Sequence, residues 1–293
     1  MPGLKGINKT FWLVVFLLPS LLGLTIFTIL PIAASAGLTF FDWDLLTPPR
    51  FVGASNFVRL IADRDFRASL LHTLQYIVGY VPMVTVLALA VAVALNRPGR
   101  LVLFLRTAFF LPVVSAWVAV ALIWMWLLNP RYGLFNYLLG LAGIHGPAWL
   151  FDPQWAMPAI ILTSVWKDIG FVMVMFLAGL QNIPGEYYEA ASLDGASNWQ
   201  RFRYITLPLL SPTTFFVLVI LLINSFQVFD QVWIMTGGGP AGATSVLVEQ
   251  IVKHAFSYSR MGYAATISWV LFALVFAATL IQSQLQRRWV TYD

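Results

Sequence analysis

Long runs of apolar residues, each about the length of a membrane-spanning helix, recur six times along the chain. A bilayer core about 30 Å thick takes about 20 residues of helix. The fourth run is interrupted by Lys167 and Asp168, and the fifth contains Asp230 near its end. The pattern predicts an all-α membrane protein, a single transmembrane domain over residues 1–293, with about six helices at 11–36, 70–95, 107–128, 156–181, 210–235 and 262–286.

The first run admits a second interpretation, a cleaved signal peptide. Ala34-Ser35-Ala36 resembles a signal-peptidase site, and Lys5 and Lys9 precede the apolar stretch. The apolar region nevertheless extends from Phe11 to Ile32, whereas the apolar part of a signal peptide usually has about 7–15 residues. We therefore expect an uncleaved first span.

Composition supports the membrane class and removes several others. Of the 293 residues, 60% are hydrophobic and 10% are charged, which leaves too little polar surface for a soluble domain of this length. The net charge is +5, but the basic residues are scattered among loops, so nucleic acid is not expected as a partner. The sequence has no cysteine, and its three histidines lack the spacing of metal ligands, so we predict no metal site.

Loop charges predict the orientation. With the N-terminus inside, nine basic residues fall on the cytoplasmic side and seven on the opposite side. Cytoplasmic loops of membrane proteins carry an excess of Lys and Arg. We therefore expect a multi-pass protein of the cell (inner) membrane, in contact with membrane lipid, with both termini in the cytoplasm.

The longest polar segment on the predicted cytoplasmic side is 182–209, between the fourth and fifth spans. Pro184 and Gly185 end the preceding span, and Glu186 to Leu193 is predicted to be a short helix with acids in its first turns. Asp194-Gly195 is a turn pair, and a second helix is predicted to begin near Ser197. The segment therefore predicts a compact helical elbow, here called the elbow.

Small and charged side chains on the elbow favour contact with another protein. Ala190 and Ala191 permit close approach, while Glu189 and Asp194 offer charge. A plain connecting loop is the alternative, and the length and ordered turns of the segment argue against it. The pattern alone does not identify the partner.

The residues of the elbow carry a family resemblance. Its sequence EAASLDGA, followed by a hydrophobic residue and Leu-Pro, resembles the EAA loop of binding-protein-dependent ABC importer permeases, and the matching residues are Glu189, Ala190, Ala191, Gly195, Ile205, Leu207 and Pro208. The resemblance implies a type I ABC importer permease, with this loop as the coupling helix, to which Asp194 also belongs. It further implies a second homologous permease, a dimer of ATPase subunits that bind ATP and Mg, and an extracytoplasmic substrate-binding protein.

A second segment resembles one branch of that family. Met235-Thr236-Gly237-Gly238-Gly239-Pro240 is similar to the T-x-G-G-P segment of carbohydrate-uptake permeases of the maltose and glycerol-3-phosphate type. This resemblance implies a sugar or oligosaccharide as the substrate, carried through a pathway of which the chain forms half.

Polar side chains within the predicted spans are candidates for substrate contact, because such groups are costly in a membrane. Asn224, Gln227 and Gln231 have the spacing i, i+3, i+7, which places them on one face of a helix. Amides and carboxylates bind sugar hydroxyls and aromatic rings pack on the sugar, so the full candidate set is Trp166, Lys167, Asp168, Asn224, Phe226, Gln227, Asp230 and Gln231. Hydrogen bonds between helices are the alternative role for these groups.

Enzyme chemistry is not indicated. The sequence has no G-x-x-x-x-G-K-[ST] phosphate loop and no H-E-x-x-H or G-x-S-x-G motif, so ATP hydrolysis is expected on a separate subunit and no cofactor on this chain. An intramembrane enzyme is also disfavoured, since no histidine has an acid at helical spacing within a span. The remaining alternative is a secondary carrier or channel subunit that uses Lys167 and Asp168 for ion coupling and needs no ATPase.

Overall fold

A computed structural model describes residues 9–287 and 289–290 and consists mainly of helices. Lys5, Arg288 and Asp293, which enter the predicted orientation, lie outside the described residues. The chain divides into two compact units. The first comprises residues 1–63 and 251–270, and the second comprises residues 64–250 and 271–293.

The first unit begins with a continuous helix over Phe11–Leu38. It is built from α1 (Lys9–Leu24), a π-helical turn (Thr25–Ile29) and α2 (Leu30–Leu38). The widened turn lies directly before Pro31, which has no N–H to donate to the carbonyl of Phe27. Ser35, in the triplet that resembles a cleavage site, accepts a hydrogen bond of 2.9 Å from the indole of Trp269.

A short hairpin and a surface helix complete the N-terminal part of this unit. Strands β1 (Phe41–Asp42) and β2 (Arg50–Phe51) pair antiparallel, and α3 spans Ser55–Ala62. Buried Asn56 donates to the carbonyls of Thr39 and Phe41 at 2.9 and 3.0 Å, which ties α3 to the end of the first span.

The same unit contains a π-helical turn (Lys253–Ser257) and the beginning of α15 (Met261–Gln286). Tyr263 on α15 donates its hydroxyl to Asp63, and the guanidinium of Arg59 lies 4.8 Å from the centre of the Tyr263 ring. These contacts fix the start of the last long helix against the surface helix α3.

The core of the second unit is α4 (Arg64–Leu95) packed along α8 (Ala156–Gln181). The buried face of α4 repeats every four residues and consists of Tyr76, Tyr80, Val84, Ala88 and Ala92. This spacing places the side chains in one row along the helix. Helices α5 and α12 pack against the same pair.

The third predicted span is divided in the structure. Residues 107–128 were expected to be one helix, but α5 (Arg100–Val114) and α6 (Trp117–Leu127) meet at an angle of 101°. Ser115 and Ala116 are extended between them, with ψ of 139° at both residues. Pro112 removes one backbone donor from the last turn of α5, which weakens the helix where it ends.

The connection between α6 and α8 is ordered by one amide side chain. It contains α7 (Leu134–Leu141) and a 3-10 turn (Trp149–Phe151). Asn136 donates to the carbonyls of Pro130 and Pro147 and accepts from the indole of Trp149 at 2.6 Å. The Asn136 side chain therefore links the beginning and the end of this connection.

Short helices follow α8, and their bounds are α9 Gly185–Leu193, α10 Asn198–Arg201, a π-helical turn Phe202–Thr206, α11 Leu207–Leu209, α12 Ser211–Phe226, α13 Asp230–Met235 and α14 Leu247–Val252. The segment 198–209 meets α12 at 62°. A second break follows α12, so the fifth predicted span, 210–235, is divided between α12 and α13.

Among residues 9–287 and 289–290, four helices are suited by length and composition to cross a membrane, and up to six spans result if each bent pair counts as one. The four are Phe11–Leu38, Arg64–Leu95, Ala156–Gln181 and Met261–Gln286. The fold class expected from the apolar pattern, an all-α membrane protein with about six spans, is confirmed.

Candidate functional site

A polar cleft of about 440 Å³ lies within the second unit, between α4, α6, α8, α12 and α13. Its polar lining consists of Tyr76, Tyr80, Asp168, Asn224, Ser225, Gln227, Asp230 and Gln231, and its aromatic lining also includes Trp117, Phe171 and Phe229. Five of the eight predicted substrate-contact residues are among them: Asp168, Asn224, Gln227, Asp230 and Gln231.

A break between α12 and α13 turns these residues toward one another. Helix α12 ends at Phe226, and Phe229 has φ −148° and ψ −62°, outside the helical region. Asp230 then opens α13, where a carboxylate interacts favourably with the helix dipole. The prediction that Asn224, Gln227 and Gln231 share one continuous helical face is therefore wrong, although all three line the cleft.

Gln231 forms part of the cleft wall. Its side chain is 6% exposed, and its amide donates to the hydroxyls of Tyr76 at 3.1 Å and Ser164 at 3.4 Å. These bonds join α13 to both α4 and α8. Gln231 therefore has the interhelical role that the sequence left open as an alternative, while Asn224 and Gln227 are exposed in the cleft.

Asp168 is held by a tyrosine pair on α4. The hydroxyl of Tyr80 donates to Asp168 at 2.7 Å, and the rings of Tyr76 and Tyr80 stack with their centres 5.2 Å apart. The hydrogen bond fixes the direction of the carboxylate, which is half-buried in the cleft wall.

Lys167 has a different environment from its neighbour in sequence. Its ammonium donates to the carbonyl of Val113 at 3.1 Å and lies 5.0 Å from the centre of the Trp117 ring. In an unbroken helix the Val113 carbonyl would accept from the amide of Trp117, so Lys167 replaces the bond lost at the α5–α6 break. A positive charge at the C-terminal end of α5 is also favoured by the helix dipole.

The backbones of α5 and α8 approach closely beside the contact of Lys167 with Val113. One turn beyond Lys167, a Cβ atom added at Gly170 would lie 1.9 Å from the carbonyl oxygen of Phe109 on α5. Only glycine permits this separation of α5 and α8. Lys167 and Gly170 together hold the broken span against α8.

Two other predicted contact residues do not line the cleft. Trp166 is half-exposed and packs edge-to-face on Trp124, with ring centres 5.5 Å apart. Phe226 is buried among neighbouring side chains. Both residues support the walls from outside the lining.

The tyrosines of α4 and Trp117 were missed as candidates. Tyr76 and Tyr80 are four residues apart in the second predicted span, which places two hydroxyls on one helical face and could have identified them. Trp117 gives no such signal, because it reaches the cleft only through the bend before α6.

The two short helices of the elbow and the turn between them lie where the sequence predicts. The first helix spans Gly185–Leu193, Gly195 follows with φ +77°, and Ser197 caps the second helix. Ser197 accepts from the amide of Gln200 at 3.3 Å, and the Gln200 side chain accepts from the amide of Ser197 at 2.7 Å. This reciprocal capping box fixes the start of the second helix.

The elbow also presents large apolar side chains to its surroundings. Leu193 is 90% exposed, Tyr204 is 73% exposed and Trp199 is 69% exposed. Of the motif residues, Glu189, Ala190, Asp194 and Gly195 are exposed, whereas Ala191, Ile205, Leu207 and Pro208 are half-buried. The elbow therefore exposes both apolar and charged side chains on one polar segment.

The described part of the chain contains no candidate metal site. Among residues 9–287 and 289–290, no group of three or more His, Asp or Glu side chains is placed to hold a metal ion.

The long apolar helices, the polar cleft and the exposed elbow define a multi-pass membrane permease. The chain belongs to the family of binding-protein-dependent transport system inner membrane components, which matches residues 84–291. This match confirms the resemblance drawn from the elbow sequence, and it identifies the chain as a non-enzymatic ABC permease subunit.

Several ABC permeases are similar to this chain over nearly its whole length. The chain is 38% identical over 283 residues to a probable ABC transporter permease protein, YesP, of Bacillus subtilis, covering 95% of this chain and 91% of the relative. It is 36% identical to the trehalose/maltose transport system permease protein MalF of Thermococcus litoralis, covering 92% of each. A bacterial alginate ABC transporter, solved in complex with an alginate pentasaccharide-bound periplasmic protein, has a TM-score of 0.83 at 25% identity and covers 97% of this chain and 96% of that chain.

The alternative of a secondary carrier or channel subunit is not favoured. It required Lys167 and Asp168 to act as an ion-coupling pair, but Lys167 donates to a backbone carbonyl and Asp168 accepts from Tyr80. The family match assigns ATP-driven import instead.

Proposed function

We propose that the chain forms half of the translocation pathway of an ATP-driven importer for a sugar or oligosaccharide. The observation that carries the proposal is the cleft, where exposed amides and carboxylates lie beside aromatic rings. Amides and carboxylates bind hydroxyl groups, and aromatic rings pack against the apolar face of a sugar ring. The trehalose/maltose permease among the relatives supports this substrate class.

The proposal assigns energy coupling to the elbow. Glu189, Ala190, Ala191, Asp194, Gly195, Ile205, Leu207 and Pro208 form the contact with one subunit of an ATPase dimer, which binds ATP and Mg. The exposed Leu193, Trp199 and Tyr204 enlarge that surface. Movement of the ATPase subunits then displaces the elbow and, through α8 and α12, the cleft.

The remaining partners follow from the same assignment. A second homologous permease forms the other half of the pathway, and an extracytoplasmic binding protein delivers the sugar. The alginate transporter, solved with its periplasmic protein, supports the latter partner. We infer an inner-membrane location with both termini in the cytoplasm, so that the elbow faces the ATPase.

The substitution Gly195→Val tests the coupling role. Gly195 has φ +77° and no atom within 4 Å of an added Cβ, so valine introduces backbone strain without a new collision. Strain of about 1–2 kcal/mol in this region of backbone space changes the angle between α9 and α10. We expect sugar uptake in proteoliposomes to fall about tenfold, with basal ATP hydrolysis and membrane insertion retained.

Gly143→Val is the matched control. Gly143 also has a positive φ, +73°, and open space around an added Cβ, but it lies in the connection after α7. This variant should transport normally. Normal uptake by Gly195→Val would contradict the coupling role of the elbow.

A further inference from the structure

The charged groups that line the cleft have one sign. Among the lining residues, all of which lie in the described part of the chain, Asp168 and Asp230 are acidic and none is Lys or Arg. The other polar members are amides and hydroxyls. The cleft therefore presents negative charge to a bound molecule.

Lys167 is the neighbour of Asp168 in sequence, but its ammonium does not bond to that carboxylate. It is 6% exposed, donates to the Val113 carbonyl and lies over the Trp117 ring. Its charge is directed toward the end of α5, and Lys167 is not among the residues of the cleft lining.

The two carboxylates differ in their exposure to the cleft. Asp168 is half-buried and accepts the hydroxyl hydrogen of Tyr80 at 2.7 Å, so its carboxyl group is fixed in the cleft wall. Asp230 is exposed at the first residue of α13, where a bound molecule can contact it.

We propose that the cleft selects an uncharged saccharide and excludes sugars that carry a carboxylate, phosphate or sulfonate. This inference rests on the proposed function and narrows its substrate class. Like charges about 5 Å apart repel strongly at the effective dielectric constant of a partly buried site. Rejection by unfavourable contacts is an established route to specificity, and here Asp168 and Asp230 supply it.

The test measures sugar binding to the complete importer in nanodiscs, without its binding protein. Any preference among sugars then comes from the translocation pathway alone. The first probe is whichever of maltose, trehalose and lactose binds most tightly by calorimetry. The second is the same sugar with its terminal primary alcohol oxidised to a carboxylate, and the third is the methyl ester of that acid. We expect the acid to bind about tenfold more weakly than the neutral sugar and the ester to bind within about threefold of it.

Substitution of the two carboxylates provides the second measurement. In the double variant Asp168→Asn with Asp230→Asn, the ratio of neutral to acidic affinity should approach one, even if both affinities fall. Asp42→Asn, which removes an exposed carboxylate from the hairpin of the first unit, should leave the ratio unchanged.

The outcomes separate this inference from the function on which it rests. Equal affinity for acid and neutral sugar, preference for the acid, or an ester as weak as the acid would each overturn charge selection and leave sugar transport standing. Failure of every sugar, charged or neutral, to bind and to enter proteoliposomes with the binding protein present would overturn both.

Discussion

The cleft and the elbow are both built where helices break, but the bonds that hold them differ in range. In the cleft, Gln231 bonds to Tyr76, 155 residues away, and Tyr80 bonds to Asp168, 88 residues away. In the elbow, Ser197 and Gln200 are three residues apart, and Arg201 donates to Ser192, nine residues away.

This difference has a mechanical meaning. A segment held by its own local bonds keeps its shape while its surroundings move, so the elbow is suited to transmit a displacement. A cleft held by bonds between α4, α8 and α13 changes shape when any of these helices shifts. Substitutions in the two regions should therefore have separable effects.

The largest effect is expected where helix packing supports both regions. Gly170→Ala places a Cβ atom 1.9 Å from the Phe109 carbonyl, so α5 and α8 must separate. Overpacking of this kind costs about 1–3 kcal/mol. We expect a lower melting temperature of the purified importer and loss of both sugar binding and ATPase stimulation.

Gly140→Ala on α7 is the control, because no atom lies within 4 Å of its added Cβ. It should melt at or above the wild-type temperature. A Gly170→Ala importer that melts and transports like the wild type would show that the α5–α8 contact is not needed by either region.

An intermediate effect, confined to the cleft, is expected from Lys167→Met. The substitution keeps an apolar stem but leaves the Val113 carbonyl without its donor, which costs about 1–3 kcal/mol for a buried group. Trp117 should move, so sugar affinity should fall while basal ATP hydrolysis stays unchanged. The KM for uptake measures this, and Lys167→Arg should restore part of the affinity.

A Lys167→Met variant with altered basal ATP hydrolysis and unchanged sugar affinity would show that the α5–α6 break acts on the elbow. That result would contradict the proposal that the cleft and the elbow can be perturbed separately.

The smallest effect is expected from Ser197→Ala. Loss of a helix cap costs about 1 kcal/mol and acts locally. Hydrogen exchange should accelerate at the amide of Gln200 and its neighbours, with sugar affinity unchanged and ATPase stimulation slightly reduced. Faster exchange in α13 would contradict the local character of the elbow.

The same distinction explains what could be predicted from the sequence. Apolar run lengths predicted the membrane class, and Pro184, Gly195 and Ser197 predicted the elbow, because each signal acts on residues close by in the chain. Five of the eight cleft candidates were found because a polar group in an apolar span is conspicuous.

The breaks and their partners could not be predicted in this way. Pro112 lies in the last turn of α5, but the bend of 101° that follows is accompanied by a bond from Lys167 to a carbonyl 54 residues away in the chain. The orientation of Trp166 and Phe226 likewise depends on which helices pack together. Such contacts carry no periodic signal along the chain.

The two cleft tyrosines lie on α4, which is longer than a bilayer core is thick. At 1.5 Å per residue, its 32 residues extend about 48 Å, well beyond a hydrocarbon layer about 30 Å thick. Tyr76 and Tyr80 lie about 18 and 24 Å from its first residue, so the second tyrosine is at the midpoint of the helix. The tyrosine pair of the cleft therefore lies near the middle of α4, with a similar length of helix on either side.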